Sequence, residues 1–345
     1  MKPHFILSKS ALTNQVKLLE DLNLKISYSY KTNRQVGDIL QEESQKVDFS
    51  LHAKEEIEMI KDKSKISFFT QAESIEELKQ IITQGITSFV IDNVIDLTNL
   101  LQAAKESKTK VNISLRMKFQ EHRIGTGKYF VYGIPSKKVN ELILKIKDNP
   151  SIENLGIHIH RKSQNTSEWE IAEEIQDSLT QETLQTIRSL NLGGGLPVKY
   201  ISFTSKVQPY IFQKLTNAKT FLDKHNIETI IEPGRFLAAP CIKLKTKIIQ
   251  VQNNNLILNT TIYNCALDNI LTETKMLAEE EIPDTQEGQY YLIKGNSPTR
   301  DDIFRYKIKL NNPKVGDEIT FINAGAYNYT TDFFGYKKLE TKIIE

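Results

Sequence analysis

A lysine ends the first strand-like stretch of the chain, and its amine is a group that could do chemistry. Residues 26–33 read ISYSYKTN, in which aromatic and β-branched residues alternate with polar ones before Lys31. Burying an ammonium group is costly unless it is paired or chemically used. Burial can also lower the pKa of a lysine until its neutral amine attacks a carbonyl group and forms a Schiff base. From this stretch alone, Lys31 is either a solvated lysine at a strand end or a nucleophile.

Two later motifs contain residue types that bind phosphate. Residues 193–195 are three glycines after a strand-like segment, and glycine lets backbone N–H groups approach an anion without a Cβ atom in the way. Residues 232–235 (EPGR) set the carboxylate of Glu232 close to the guanidinium of Arg235, and arginine can bind phosphate with two hydrogen bonds. A glycine triplet alone is more often a flexible turn, and the second motif could be a surface salt bridge beside a turn.

Two histidines share one face of another strand-like segment. His158 and His160 are two residues apart, so their side chains point in the same direction. Each is either a hydrogen-bonded core histidine or part of a site. They could share a metal ion, but no third ligand lies at a telling spacing, so the sequence predicts no metal site.

Strand-like and helix-like segments alternate over some 230 residues, which is the size and rhythm of a (β/α)8 barrel. A doubly wound sheet is the alternative. The predicted helices include residues 53–61 and a long helical region over residues 167–190. The predicted barrel strands are residues 26–31, 47–50, 66–69, 89–92, 111–117, 155–160, 191–195 and 230–232.

After Arg235 the sequence becomes β-rich, with turn residues between the strands, which indicates an antiparallel β domain. We therefore predict an α/β protein with a barrel over residues 8–238 and a β domain over residues 239–345, to which residues 1–7 could add a strand. The strands predicted for this domain are residues 242–252, 256–263, 289–294, 304–310 and 318–323.

The composition excludes several classes of protein. Lysine and arginine total 45 against 43 acidic residues, so the net charge of +2 gives no electrostatic reason to expect nucleic acid. No stretch approaches the roughly 18 apolar residues of a membrane span, so no membrane partner is expected. Two cysteines cannot form a disulfide framework, which favours the cytoplasm.

Six motifs occur in the order typical of one enzyme family. Residues 28–33 (YSYKTN) resemble the Tyr-Ala-Val-Lys-Ala-Asn lysine motif of the fold-type III pyridoxal-phosphate decarboxylases, which act on ornithine, diaminopimelate or carboxynorspermidine. Residues 156–164 (GIHIHRKSQ) are similar to that family's Gly-Leu-His-x-His-x-Gly-Ser-Gln. The other four matches are residues 47–50 (VDFS), 191–197 (NLGGGLP), 232–235 (EPGR) and 315–327 (VGDEITFINAGAY).

The resemblance implies a cofactor, pyridoxal 5'-phosphate, and a role for each matching residue. Lys31 is expected to form the internal aldimine, and His160 to stack on the pyridine ring with His158 deeper in the barrel. Glu232 is expected to keep the pyridine nitrogen protonated, so that the ring is an electron sink. Arg116 matches a family arginine and should support Glu232 or the cofactor. The residues expected to hold the phosphate are Ser163, Gly195, Gly234, Arg235 and Tyr327, with Gly194 beside them in the cofactor site.

One segment departs from the family pattern. The family's Gly-Pro-Thr-Cys-Asp, whose last two residues reach the active site of the other subunit, reads SPTRD here, with Arg300 in place of cysteine. By resemblance, Arg300 and Asp301 complete the site of the partner in a homodimer. Arg300 could bind a second carboxylate of the substrate, or be a surface arginine on a shifted loop. Thr260 stands where an acid would bind the distal amine of a diamine, and Asp268 could compensate.

We therefore predict pyridoxal-phosphate-dependent decarboxylation of a small-molecule substrate, an amino acid or amino-acid conjugate, including one with an additional carboxylate. Lys31, Arg300 and Asp301 are the predicted catalytic residues. One alternative is an inactive or regulatory cofactor-binding homologue, because the family cysteine is absent. Another is an amino-acid racemase, which by resemblance should have an arginine rather than Glu232 near the ring nitrogen.

Overall fold

A parallel barrel and a second sheet form the cores of two units in the computed structural model, which describes residues 1–118, 132–272, 274–327, 329 and 331–345. The barrel unit comprises Leu18–Leu196 and Val207–Gly234. The sheet unit comprises Met1–Lys17, Pro197–Lys206 and Arg235–Glu345. The chain starts with strand β1 (His4–Ser8), which belongs to the sheet unit, and continues into helix α1 (Lys9–Glu20).

Eight parallel strands close the barrel in chain order, with the first paired to the last. This confirms the predicted (β/α)8 architecture. The strands are β2 (Lys25–Ser29), β3 (Asp48–Leu51), β4 (Ile66–Phe69), β5 (Ser88–Ile91), β6 (Val111–Arg116), β7 (Ile152–His158), β8 (Ser189–Asn191) and β9 (Glu228–Ile231).

Helices follow the barrel strands and bury one apolar face each, as amphipathic sequences do. In one of them, the Ser74 hydroxyl accepts the N–H of Glu77 and the Glu77 carboxylate accepts the N–H of Ser74, a capping box that fixes where the helix begins. The helices are α2 (Arg34–Glu43), α3 (Ile75–Thr83), α4 (Val94–Glu106), α5 (Ser136–Ile146), α6 (Ile171–Ser178), α7 (Gln181–Thr186) and α8 (Gln208–Asp223).

Two helical predictions were wrong in detail. Residues 53–61 contain a 3-10 helix, Lys54–Met59, instead of an α-helix. The long helical region predicted over residues 167–190 is two short helices followed by β8. It breaks at Thr180, whose hydroxyl accepts the N–H of Thr183 and so starts α7 afresh.

The sheet unit contains eight strands in the order β12-β15-β10-β11-β13-β14, with β1 joining β10 and β16. Most pairs are antiparallel, as predicted, but β1 with β16 and β11 with β13 are parallel. The strand predicted over residues 256–263 ends at Leu258, and a helical turn begins at Ile262. The remaining elements are α9 (Arg235–Ala238), β10 (Ile242–Gln252), β11 (Asn255–Leu258), α10 (Ile262–Cys265), α11 (Asp268–Leu271), β12 (Leu277–Ala278), β13 (Gln289–Lys294), β14 (Ile303–Leu310), β15 (Glu318–Ile322) and β16 (Glu340–Ile344).

The barrel brings polar side chains to the C-terminal ends of its strands, where barrel enzymes place their active sites. Lys31 follows β2 and His52 follows β3, while Arg116 and His158 end β6 and β7. Glu232 follows β9. Among the described residues, no helix combines the length and the apolar character needed to cross a membrane.

Candidate active site

Lys31 lies in a short 3-10 turn between β2 and α2, and local hydrogen bonds fix this turn. The Asn33 side chain accepts the N–H of Val36 at 3.2 Å and so caps α2. The Tyr28 hydroxyl donates to the Asn33 carbonyl oxygen at 2.9 Å, and the Tyr30 hydroxyl donates to Asp38 at 2.7 Å. The lysine therefore leaves the barrel from a turn whose backbone is held on both sides.

The Lys31 side chain opens into a cavity of about 360 Å³. The side chain is accessible to solvent there, so a carbonyl compound can reach its amine. Protein atoms nevertheless crowd it, and this burial lowers the pKa of Lys31; Glu232 opposes the shift and Arg116 adds to it. A larger fraction of the amine is therefore neutral and nucleophilic than in a solvated lysine. The cavity is lined by Lys31, His52, Phe69, Thr70, Gln71, Val90, Asp92, Arg116 and Tyr132.

Glu232 is buried, and both of its carboxylate oxygens are hydrogen-bonded within the barrel unit. Oε1 accepts from the Ser50 hydroxyl at 2.7 Å and from the Asn191 amide at 2.8 Å, and Oε2 lies 3.0 Å from His158 Nε2. Because an ionised carboxylate only accepts, His158 carries a hydrogen on Nε2. Burial alone would raise the pKa of Glu232, but His158 and the Ser50 hydrogen bond lower it to about 2. Glu232 is therefore a fixed anion at neutral pH.

Arg116 acts on this anion by charge, since the hydrogen bonds described for Glu232 come from Ser50, Asn191 and His158. Burial lowers the pKa of the Arg116 guanidinium, and Asp92 and Glu232 oppose that shift. The guanidinium also lies over the ring of Tyr132, 5.3 Å from its centroid. The predicted support of Glu232 by Arg116 is thus electrostatic in this structure.

His160 lies one layer above His158, with parallel rings whose centroids are 6.4 Å apart. The Gly194 N–H donates to His160 Nδ1 at 3.3 Å, so the second ring nitrogen carries the hydrogen when the ring is neutral. Burial lowers the pKa of His160 to about 3, which keeps the ring neutral.

The glycine triplet forms a tight turn beside the two histidines. Gly193 has a φ of +67°, and a Cβ atom on it would lie 2.3 Å from the Ile159 carbonyl oxygen. A Cβ on Gly194 would lie 2.8 Å from the Glu232 carbonyl oxygen. Only glycine fits these positions, because the obstructing atoms are backbone.

Gly195 connects this turn to the loop that contains Ser163. Its carbonyl oxygen accepts the Asn165 N–H at 2.9 Å, and a Cβ atom on it would lie 2.8 Å from the Lys162 carbonyl oxygen. Ser163 itself is exposed on that loop. Gly234 is close to the turn that contains Lys31. A Cβ atom on Gly234 would lie 2.2 Å from the hydroxyl of Thr32, the residue that follows Lys31 in the sequence. The structure therefore brings the predicted barrel-unit residues together around the ends of β2, β6, β7, β8 and β9.

In the sheet unit, Arg235 is buried and paired. One guanidinium nitrogen donates to Asp268 at 2.6 Å and to the Tyr200 hydroxyl at 3.3 Å. The guanidinium also lies 5.1 Å from the ring centroid of Tyr327. Burial opposes the charge on Arg235, but Tyr200 and Asp268 raise its pKa. Asp268 is thus engaged with Arg235, which leaves the suggestion that it binds a substrate amine without support.

Arg300 and Asp301 lie on an exposed loop of the sheet unit. Their side chains are 97% and 69% exposed, and Arg300 Nε lies 4.0 Å from the Asp301 carboxylate. The neighbouring Asp302 anchors this loop, since its carboxylate accepts the N–H groups of Ser297 at 2.9 Å and of Ile262 at 2.8 Å. Thr260 is buried and donates to the Asn264 side chain at 3.0 Å.

Sequence reasoning missed His52. Its ring stacks on Phe69 with centroids 4.4 Å apart, and it lines the Lys31 cavity. Its Nδ1 is buried without a hydrogen-bond partner among the described residues, and burial, followed by Lys31, lowers its pKa to about 3. The available signal was its position just after a barrel strand.

Comparison with known proteins identifies the family. Residues 9–239 match the sequence model described as "Pyridoxal-dependent decarboxylase, pyridoxal binding domain". The chain belongs to this family. The racemase alternative gains no support from this match.

Two curated relatives of this decarboxylase-family protein are diaminopimelate decarboxylases. That of Zymomonas mobilis is 27% identical over 281 residues, which cover 77% of this chain and 66% of the relative. That of Haemophilus influenzae is 27% identical over 286 residues, which cover 77% and 67% of the two chains. The chain thus spans about two thirds of the length of the curated relatives it matches.

Solved structures show the same fold. The lysine/ornithine decarboxylase of Vibrio vulnificus, complexed with putrescine, has a TM-score of 0.81 at 19% identity, covering 99% of this chain and 94% of that one. The diaminopimelate decarboxylase of Helicobacter pylori, complexed with L-lysine, has a TM-score of 0.82 at 20% identity, covering 100% and 92%.

The residues of this decarboxylase-family protein fit pyridoxal phosphate. A nucleophilic lysine is available for its carbonyl group and a fixed carboxylate for its ring nitrogen. The glycine turn has no room for side chains, which is typical of a backbone anion cradle. Arg235 Nε is buried without a partner among the described residues, and so remains as a donor for a phosphate oxygen.

Proposed function

We propose that this protein is a pyridoxal-phosphate-dependent decarboxylase of an amino acid or amino-acid conjugate, with Lys31 as the residue that carries the cofactor. The observation that supports it most is the arrangement at the C-terminal end of the barrel strands. There Lys31, whose pKa is lowered, interacts electrostatically with the ionised carboxylate of Glu232. Membership in the decarboxylase family gives this arrangement its reaction.

When bound, pyridoxal phosphate supplies a reactive carbonyl and an electron-withdrawing ring. Lys31 would supply the amine that holds this group. Glu232 stays ionised and accepts the hydrogen of the pyridine nitrogen, which keeps that nitrogen positive. His160, whose ring is neutral, would pack against the bound cofactor.

We infer that the residues assigned to the phosphate by the family resemblance carry donors that suit it. In the barrel unit, Gly194, Gly195 and Gly234 offer backbone N–H groups, and Ser163 offers a hydroxyl. In the sheet unit, Arg235 offers a guanidinium already oriented by Asp268, and Tyr327 lies beside that guanidinium. A phosphate dianion suits such donors because charge-assisted hydrogen bonds are roughly twice as strong as neutral ones.

We infer that the substrate carries an additional carboxylate. Two curated relatives are named for diaminopimelate, which is dicarboxylic. Arg300 is almost fully exposed and its loop is anchored by Asp302, so its guanidinium is available to a carboxylate.

We infer further that the protein works as a homodimer in the cytoplasm. Arg300 and Asp301 are exposed, which suits residues that complete the site of a partner subunit. Cys241 and Cys265 are buried free thiols, as expected in a reducing compartment.

The test is carbon dioxide release from a panel of monocarboxylic, diamino and dicarboxylic amino acids. The purified protein with added pyridoxal phosphate should release carbon dioxide, fastest from a dicarboxylic member, and Lys31→Ala should release none above background. Cofactor binding without carbon dioxide release from any member would contradict the proposal and favour the inactive or regulatory homologue.

A further inference from the structure

The N-terminal half of the barrel interior is polar and hollow. Barrel interiors are usually filled by branched apolar side chains. Here the barrel strands surround a cavity of about 480 Å³. Five strands each contribute a serine to its wall: Ser27, Ser67, Ser88, Ser114 and Ser189.

The wall leaves room because its residues are small. Gly156 lies between Ser114 and Ser189 on adjacent strands, and a Cβ atom on it would be 2.4 Å from the Ser189 hydroxyl oxygen. At the rim, Lys25 pairs with Asp48 at 3.2 Å and with Glu228 at 3.5 Å. A polar cavity of this size suits ordered water, since each water molecule there can find two to four polar partners.

A short chain of hydroxyl groups leads from this cavity to the candidate active site. Ser27 lines the cavity, and its Oγ lies 2.7 Å from Ser50 Oγ. Ser50 is fully buried and donates to Glu232 Oε1 at 2.7 Å. The Ser50 hydroxyl donates its single hydrogen to Glu232, so toward Ser27 it can only accept. The Ser27 hydroxyl must therefore be the donor. Asn191 also lines the cavity and donates to the same oxygen at 2.8 Å.

We propose that Ser27, Ser50 and water in the N-terminal half of the barrel interior form a hydrogen-bond chain. This chain ends on Glu232 and holds its carboxylate as an acceptor. Ser27 and Ser50 are thus positioning residues. The inference rests on the proposed function in that Glu232 is the residue assigned to the pyridine nitrogen. This hydrogen-bond chain reaches Glu232 from the N-terminal half of the barrel interior, so its donors stay in place whatever binds in the Lys31 cavity.

Other charged or titratable groups also act on Glu232, so the test must separate the serine chain from them. They follow or end four barrel strands, and none is altered by the substitutions proposed here. They are Lys31 after β2, His52 after β3, Arg116 at the end of β6, His158 at the end of β7 and His160 beyond it.

The experiment follows the carbon-13 NMR signal of the Glu232 carboxylate in the cofactor-free protein as the pH is lowered, over the range in which the protein stays folded, with the signal assigned by its loss in Glu232→Gln. Ser50→Ala removes a hydrogen bond to a charged group and should raise the pKa of Glu232 by about one to two pH units. Ser50→Thr keeps the hydroxyl and should restore the wild-type value. Ser67→Ala, which changes a serine of the same cavity outside the chain, is the matched control and should cause no shift.

Two substitutions of Ser27 test the water. Ser27→Ala leaves space that a water molecule can fill, so it should shift the pKa of Glu232 less than Ser50→Ala does. Ser27→Val removes the hydroxyl and also fills that space, so its shift should approach that of Ser50→Ala. Equal pKa values in wild type, Ser50→Ala and both Ser27 variants would overturn the inference. So would equal shifts from Ser27→Ala and Ser27→Val, because the cavity water would then contribute nothing.

This outcome is separate from that of the proposed function. If the protein fails to release carbon dioxide, the pKa of Glu232 in the cofactor-free protein still decides whether the serine chain acts on it. In the loaded protein, Ser50→Ala should also shift the pH dependence of the visible absorbance, and Ser67→Ala should not.

Discussion

At the scale of single residues, burial keeps His52 and His160 neutral. The pKa of each is lowered to about 3, chiefly by burial, whereas a histidine of the unfolded chain takes up a proton near pH 6.5. Between these values the unfolded state binds more protons than the folded state. The contribution of the two neutral rings to the free energy of unfolding is therefore fully present above about pH 6.5 and is lost as the pH falls toward 3.

The corresponding prediction concerns unfolding free energy between pH 7.5 and pH 5.5, which lies above the range where Glu232 would contribute. Wild type should lose stability across this interval, by at most about 1.4 kcal/mol per pH unit for each histidine. His52→Gln should show a shallower decrease, because one of the two groups is gone. Urea unfolding at several pH values measures this. Parallel curves for wild type and His52→Gln would contradict it.

The residue types that could be predicted from sequence were those embedded in ordered motifs. Lys31, His160, Glu232 and Arg235 each sit inside a recognisable run. Ser50 and Asn191 also lie within such runs, but their hydrogen bonds to Glu232 depend on which strands of the closed barrel lie side by side. His52 had no motif, and only the fold shows that it faces the Lys31 cavity.

At the scale of elements, the glycine turn after β8 depends on backbone that cannot move aside. Gly193 combines a φ of +67° with a Cβ position 2.3 Å from the Ile159 carbonyl oxygen. Gly193→Ala should therefore displace the turn and weaken pyridoxal-phosphate binding by tenfold or more, which is about 1.4 kcal/mol. A spectrophotometric titration measures the Kd.

Gly316→Ala is the matched control for this prediction. Gly316 has a φ of +101°, but a Cβ atom on it would meet nothing within 4 Å. Gly316→Ala therefore carries a backbone penalty of about 1–2 kcal/mol, without the steric clash that a Cβ atom would cause at Gly193. It should lower stability and leave the Kd unchanged. If the two variants bound the cofactor equally well, the glycine turn would have no special role.

Sequence predicted the elements whose pattern is local. Buried parallel strands read as short apolar runs, as in residues 66–69 (ISFF), and so the barrel could be inferred from their spacing. The break between α6 and α7 could not, because the Thr180 cap looks like any threonine within a helical pattern. The turn after Leu258 was likewise hidden, since residues 259–263 have the composition of a strand.

At the scale of the whole molecule, the proposed homodimer predicts that two defective subunits can complement each other. Lys31→Ala removes the amine, and Asp301→Ala removes the group proposed to reach the partner. A refolded equal mixture should contain half heterodimers, each with one intact site of two, so about a quarter of wild-type activity should return. Heterodimers seen by native mass spectrometry with no recovered activity would show that each site lies within one subunit.

The most direct test of the central claim is where borohydride fixes the cofactor. The protein loaded with pyridoxal phosphate should show a visible absorbance band that borohydride removes, and peptide mass spectrometry should find the added cofactor mass on Lys31. Lys31→Ala should show neither the band nor the label, while Lys25→Ala, at the other end of β2, should show both. A label on a different lysine, or no label at all, would contradict the account.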